Sequence, residues 1–295
     1  MNRTARSLDE SILAEHPLPP PSGDGDKHDR GTVLVVGATA ETPGALLLSG
    51  LAALRAGAGR LQVAAPDEVA PLLAVHLPEA KVTGFETGAS GSLEPCDRLA
   101  ETMSSADAVL IGSGTGDAAA GRDLLGAALE ALGTTDGALV IDAGALVALG
   151  EDPAALGPVA DRAVAMPNPG EASALAADDR SRSDGDELLS HLVDVLGCAV
   201  AVRAADTWLG APRRPAVVER NGPVGLATSG SGDVLAGLIA GHLARGADPF
   251  TALLWAVHIH ACAGRRLTAG AAQLGFLARE LIDAIAAVRA SLAHC

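Results

Sequence analysis

The sequence predicts an α/β protein built on a mainly parallel sheet with helices on both faces. Three observations predict it. Short apolar segments alternate with longer helical ones along most of the chain. The short segments are runs of Val, Leu, Ile and Ala without polar alternation, as strands buried on both faces require. Glycine-rich turns close several of them, at the strand ends where open α/β sheets hold their ligands. A chain of 295 residues suits one large unit of this kind, and no internal repeat or second domain boundary is visible. Hydrophobic residues make up 48%, aromatics only 2%, and Tyr is absent, so small aliphatic side chains must pack the core and let helices lie close to the sheet.

The elements follow in order. Residues 1–30 are rich in Pro, Gly and Asp and are expected as an arm, with a short docking helix from Leu8 to Glu15 and an extended linker. Residues 31–295 are expected as the single catalytic domain. Thr32 to Val36 reads as a buried strand ending at Gly37, followed by a helix from Gly44 to Arg55. Leu61 to Ala65 is the next strand and Asp67 to His76 the next helix. Ala108 to Ile111 is a strand, Gly112 to Gly116 its loop, and Arg122 to Leu132 a helix. Ala138 to Asp142 and Ala163 to Met166 are strands, the second closed by Pro167-Asn168-Pro169-Gly170-Glu171. Glu171 to Leu196 is a helix or an irregular acidic segment, with a charged, solvated run at 178–186. Cys198 to Val202 is a strand, Thr207 to Leu209 and Pro215 to Glu219 form a hairpin, and Val234 to Leu292 is helical.

Composition narrows the function. A net charge of −15 disfavours a nucleic-acid backbone as partner, and the scarcity of aromatics disfavours base stacking. A phosphorylated small molecule is still compatible, because backbone N–H groups bind phosphate locally without net positive charge. The four cysteines are scattered with no C-x-x-C, so incidental thiols are expected in place of a zinc site or a disulfide framework. No signal peptide is read at the N-terminus, and no apolar run reaches about 18 residues, so the cytoplasm is the expected location.

The strongest chemical signal is Gly230-Ser231-Gly232-Asp233 at the start of an apolar helix. Two glycines let the backbone approach an anion, and the helix aims its N-terminal N–H groups and dipole at it. Asp233 can either cap those N–H groups or take a proton from a hydroxyl about to attack phosphorus. Gly112-Ser113-Gly114-Thr115-Gly116 is either a second anion or sugar loop or an ordinary turn. Glu171 can orient a hydrated magnesium ion or serve as a first-turn helix acid. Asp142, at a strand end, is a candidate ligand contact. His258 and His260 are two residues apart, on different helix faces, and read as packing or surface residues and not as a metal pair.

These segments, in this order, resemble the ADP/ATP-dependent NAD(P)H-hydrate dehydratases of the ribokinase-like superfamily. The resemblance rests on Asp26 to Gly31, Val33 to Gly37, Gly44-Ala45, the A-A-L-R-A-G-A-G run of Ala52 to Gly59, Ala106 to Gly112, Asp142 to Leu146, Pro167 to Glu171, and Gly225 to Gly241 with Ala261 to Gly264. It implies a three-layer α/β/α sandwich. It also implies a repair reaction: a hydrated NADH or NADPH is phosphorylated on its ring hydroxyl by ADP or ATP with Mg²⁺, and phosphate then leaves. By family position, Ala45, Gly116, Asn168 and Asp233 would contact the hydrated dinucleotide. Arg203, Ala204, Ala205, Asp206 and Thr207 would contact the adenine nucleotide, as would Gly230, Ser231 and Gly232 in the phosphate turn. Asp233 would be the base and Glu171 the metal residue, through water.

The chain departs from the family at several points. Asn168 stands where His is usual and Arg203-Ala204 where Lys-Gly is usual. Ser113 replaces a Pro, and Asp142-Ala143-Gly144 lacks the second acid of D-A-D. Asn cannot change charge near neutral pH, and Arg keeps a charge but not its geometry. Two alternatives stay open: a ribokinase-like kinase of a small vitamin-precursor alcohol, and a non-catalytic nucleotide-binding homologue. The resemblance further implies a homo-oligomer, a tetramer, and an epimerase on a separate chain.

Overall fold

A computed structural model describes residues 5–20, 29–115, 118–176, 185–269 and 273–292. Among these, ten strands form one sheet: β1 (Arg6–Ser7), β2 (Thr32–Val36), β3 (Arg60–Pro66), β4 (Ala80–Phe85), β5 (Ala108–Ile111), β6 (Ala138–Ile141), β7 (Ala163–Ala165), β8 (Ala199–Arg203), β9 (Thr207–Gly210) and β10 (Val217–Glu219). Their order is β1-β10-β9-β8-β7-β6-β5-β2-β3-β4. Pairing is parallel from β8 through to β4, while β9 runs antiparallel to both β8 and β10. Five residues of β2 are buried in a row, Val33 and Val35 feeding one core and Leu34 and Val36 the other. A strand that faces two cores has no polar side to show, which explains the unbroken apolar runs.

One face is covered by α1 (Glu10–Glu15), α2 (Gly44–Ala56), α3 (Ala70–His76), α9 (Ser231–Ala244), α10 (Pro249–Thr268) and α11 (Ala278–Leu292). The other carries α4 (Asp97–Ser104), α5 (Ala118–Leu132), α6 (Gly144–Glu151), α7 (Pro169–Leu175) and α8 (Gly185–Leu196). The three-layer α/β/α arrangement expected from the sequence is therefore present. Glycines set the closest helix contact. A Cβ at Gly237 would lie 2.1 Å from the Ser49 carbonyl, and one at Gly241 2.5 Å from that of Ala53. Packed this tightly against α2, α9 is buried all round, a pattern found in core helices.

Some elements differ from the sequence reading. The N-terminal segment does more than dock a helix: β1 pairs with β10, and Leu8, Ile12 and Leu13 are buried in the core. Asp9 caps α1, and Trp255 donates to the His16 carbonyl at 2.7 Å. The helix expected from Asp67 begins at Ala70, after a turn. The expected helix or irregular segment at 171–196 resolves into α7 and α8, and residues 178–184 of the charged run lie outside the described residues. β1, β4, α4 and α6 have no counterpart in the sequence reading.

The sheet order reverses between β2 and β5, since β3 and β4 lie to one side and β6 to β8 to the other. Such a switch point opens a crevice beyond the carboxyl ends of the strands. Gly37 and Gly112 close β2 and β5 at that point, and both have positive φ, +153° and +101°. A Cβ on Gly112 would lie 1.9 Å from the Asp142 carbonyl oxygen, so only glycine lets the two strand ends approach.

Candidate active site

Four strand ends and one helix start meet at this crevice. Gly230, with φ +85°, precedes α9 in the left-handed conformation that its lack of a side chain allows. The Ser231 N–H bonds back to the Thr228 carbonyl and the Val234 N–H to that of Gly230. Between them, the N–H groups of Gly232 and Asp233 have no acceptor among the described residues. Two free N–H groups at the positive end of a 14-residue helix are an arrangement suited to an anion. Behind the turn, His260 of α10 is buried, with its Nε2 3.0 Å from Ser231 Oγ and 3.2 Å from the Ser231 carbonyl. Burial holds this imidazole down at about 4, with Arg203 acting in the same direction, so it is neutral and anchors the turn without adding charge.

Arg203, the last residue of β8, ties the strand ends together. Its N–H donates to the Pro167 carbonyl and its Nε to that of Met166, both at 2.9 Å. Its Nη2 donates to Asp142 Oδ1 at 3.0 Å and lies 3.9 Å from Glu171 Oε2. Asp142 follows β6 and is buried, so this pair is well shielded from water. The guanidinium also abuts the turn before α9, where a Cβ on Gly232 would sit 2.2 Å from Nη1.

Asp233 faces the same cluster. Burial raises its carboxyl to about 6, and the charge of Asp142 adds to this, whereas a hydrogen bond from Ser113 and the charge of Arg203 act the other way. Ser113 is itself placed by a 3.4 Å contact with Ser49 Oγ, which donates to the Ala45 carbonyl at 2.8 Å. Ala45, at the start of α2, is thereby linked to this crevice.

Asn168 and Glu171 form a capping box on α7. Glu171 N donates to Asn168 Oδ1 at 3.0 Å, and Asn168 N donates to Glu171 Oε2 at 2.8 Å. Burial raises the Glu171 carboxyl, and Asp142 adds to this. The helix-acid reading of Glu171 is thus realised, with the carboxylate still turned toward Arg203. Among the described residues, no group of three or more His, Cys, Asp or Glu side chains could hold a metal alone. The donor set is hard oxygen, with Glu171 and Asp142 beside an anion site. It fits a hydrated magnesium ion that takes its remaining ligands from phosphates and water.

The crevice brings together Ser113, Asp142, Glu171, Arg203, Gly232 and Asp233. It does not gather the whole 203–207 segment. Ala204 N bonds to the Asp206 carbonyl in a tight turn, and Asp206 pairs with Arg220 at 3.5 Å. Thr207 lies in β9 opposite Glu219. Ala205 is exposed, and Gly116 lies outside the described residues. The role of His260 is new; its spacing from His258 correctly separated the two rings, but nothing in the sequence pairs it with Ser231. A separate cavity of about 600 Å³ between the N-terminal segment, α10 and α11 shares no residue with this crevice.

The chain matches known proteins over nearly its whole length. A family model described as NAD(P)H-hydrate dehydratase matches residues 33–287. A Xanthomonas campestris pv. campestris protein named ADP-dependent (S)-NAD(P)H-hydrate dehydratase is 42% identical over 280 residues, covering 94% of this chain and 93% of that protein. A Moorella thermoacetica bifunctional NAD(P)H-hydrate repair enzyme is 31% identical over 270 residues, which is 90% of this chain but 50% of the relative, so the chain spans about half the length of such bifunctional proteins. In structure, the chain is similar to a ribokinase-like superfamily protein of Enterococcus faecalis V583, with TM-score 0.82, 24% identity and coverage of 98% of this chain and 96% of that one. It is also similar to the Bacillus subtilis ADP/ATP-dependent NAD(P)H-hydrate dehydratase co-crystallised with ATP/Mg²⁺, with TM-score 0.78, 24% identity and 99% coverage of each chain.

Proposed function

The chain belongs to the NAD(P)H-hydrate dehydratase family, and on that premise we propose how its residues perform the reaction. The protein uses ADP, or ATP, to dehydrate the (6S) hydrate of NADH or NADPH and so regenerate the reduced dinucleotide. The observation that carries the reading is the pairing at the start of α9: two free N–H groups beside a carboxylate raised to about 6.

The terminal phosphoryl of the nucleotide lies against the N–H groups of Gly232 and Asp233. These stabilise the charge that develops on its oxygens during transfer. Arg203 supplies a cation on the same side, fixed by its bonds to Met166 and Asp142. The ring hydroxyl of the hydrate points at Asp233, which takes its proton as the oxygen attacks phosphorus. A carboxylate near 6 is ionised at neutral pH yet more basic than an ordinary aspartate, which suits a general base. The new phosphate ester then leaves as inorganic phosphate, pushed out by the ring nitrogen lone pair, and the adjacent ring carbon loses a proton to restore the ring double bond. Overall, hydrate and ADP become reduced dinucleotide, AMP and phosphate. Magnesium, held by Glu171 through water and by the phosphates, would neutralise phosphate charge. On this reading Ala45 and Asn168 serve the hydrate side, and Arg203 with Gly230 to Gly232 the nucleotide side.

The protein would act in the cytoplasm as a homo-oligomer, a tetramer by family resemblance. A separate epimerase chain would feed it the correct epimer. None of the described helices is long and apolar enough to cross a membrane. The test is product analysis with purified hydrate, ADP and Mg²⁺. Equal amounts of AMP, phosphate and reduced dinucleotide are expected. Accumulation of a stable phosphorylated alcohol would identify a kinase, and no turnover with either epimer or nucleotide would overturn the reading.

A further inference from the structure

The other histidine of α10, His258, enters a polar cluster that the dehydration chemistry does not use. Glu219, at the end of β10, places its Oε2 3.6 Å from His258 Nδ1. On the other side of the ring, Nε2 lies 3.4 Å from Cys262 Sγ, one turn further along α10. Arg265 donates from Nη2 to the same sulfur at 2.8 Å. Its Nη1 donates to the Asn221 carbonyl at 3.0 Å and lies 3.9 Å from Glu219 Oε1. Asn221 N donates to Glu219 Oε1 at 2.7 Å, which fixes the carboxylate. His258 and Glu219 are only 7% and 3% exposed, and His258 Nδ1 and Glu219 Oε2 have no hydrogen-bond partner within normal distance. Burial pulls the imidazole down, yet Cys262 and Glu219 outweigh it and hold the ring up at about 9.

The order carboxylate, imidazole, sulfur is that of an activated nucleophile with its base and orienting acid. Here a second cation is added at the sulfur. Arg265 and His258 thus both meet the Cys262 sulfur, the kind of partly exposed site where reactive cysteines are found. Cys262 is also partly open to solvent, unlike Cys198, which is buried and pushed up to about 12. Packing alone does not require four ionisable side chains here, and a core position would cost less with apolar residues.

We propose that Cys262 is a modification site, a nucleophilic thiol that hydroperoxides oxidise to the sulfenic acid, with His258 as its proton partner and Arg265 as its charge partner. The sulfur attacks the terminal oxygen of the hydroperoxide. An S–O bond forms as the O–O bond breaks, the sulfur losing two electrons and the hydroperoxide being reduced to an alcohol, or to water when it is hydrogen peroxide. The departing oxygen takes its proton from His258 Nε2. The other cysteine side chains described are not in the cluster, so the product is a sulfenic acid open to trapping.

The test treats the full-length protein with hydrogen peroxide at neutral pH in the presence of a sulfenic-acid trap and reads each cysteine peptide by mass spectrometry. Cys96 is exposed and serves as the comparison for simple accessibility. Cys262 is expected to be labelled about tenfold faster than Cys96, although it is less exposed. Arg265→Gln and His258→Gln are each expected to slow Cys262 about tenfold and leave Cys96 unchanged, and Arg265→Lys to restore part of the rate. Arg265 lies at the surface edge, so its variants stay readable if His258→Gln fails to fold. Labelling of Cys96 as fast as Cys262, or a Cys262 rate unmoved by Arg265→Gln, would overturn the proposal.

Discussion

Replacing Asp233 by Asn separates catalysis from stability, because the two effects have opposite signs. Asp233 sits at about 6 in the folded protein against 3.8 for an ordinary Asp carboxyl. Between these values the folded chain holds a proton that the unfolded chain has released, so stability falls as pH rises through that window and stays low above it. A shift of roughly two units at about 1.36 kcal/mol each gives a cost near 3 kcal/mol, as an upper bound. Asn keeps the shape and can still accept from Ser113, but carries no charge. Asp233→Asn is therefore expected to be more stable than the wild type by up to about 3 kcal/mol near pH 8, with the gain vanishing near pH 4. Dehydration should fall by about 10²–10⁴-fold, the usual weight of a general base. Urea unfolding at the two pH values and the hydrate assay read both effects. A variant with the same relative stability at both pH values would refute the electrostatic argument, and one that keeps activity within about tenfold would refute the role as base.

The other predictions use the same geometry. Arg203→Met leaves Asp142 as a buried, unpaired charge and should cost about 3–5 kcal/mol in urea unfolding, with a raised KM for ADP. Asn168→Ala should remove the cap of α7 at about 1 kcal/mol, while Asn168→Ser keeps it; if kcat/KM follows the cap and not the amide, Asn168 acts by placing Glu171. His242 is buried with both ring nitrogens unpartnered, so His242→Leu should stabilise by about 1–3 kcal/mol in thermal or urea unfolding. Burial holds the His242 ring down at about 3 against 6.5, so the wild type should lose stability as pH falls below about 6.5 and the variant should lose less.

Much of this was readable in the chain because the two cores impose one pattern. Unbroken Val and Leu runs can only be strands buried on both faces, and β2, β5 and β6 were visible for that reason. β4 was not, since an edge strand reading Ala-Lys-Val-Thr-Gly-Phe is half-exposed and carries a Lys and a Gly. β1 is two residues long and exists through its pairing with β10. α6 begins after Ala143, whose φ of +46° no propensity would predict. In the site, Gly230 to Asp233 was legible because its signal is local: glycines, an acid, then an apolar helix. The Asn168 to Glu171 cap was equally local, as an N-cap residue followed three positions on by Glu, yet a ligand reading of Asn168 overshadowed it. The bond from Arg203 to Asp142 joins residues 61 apart, and the bond from His260 to Ser231 joins residues 29 apart. Contacts of that separation are set by the sheet order, for Arg203 and Asp142, and by the packing of α10 on α9, for His260 and Ser231, and leave no spacing to read.

The central claim is that the ring hydroxyl attacks phosphorus and departs as phosphate. Hydrate labelled with heavy oxygen in that hydroxyl, turned over with unlabelled ADP and water, tests it directly. The account predicts one labelled oxygen in each inorganic phosphate released. Label appearing in water, with none in phosphate, would contradict it.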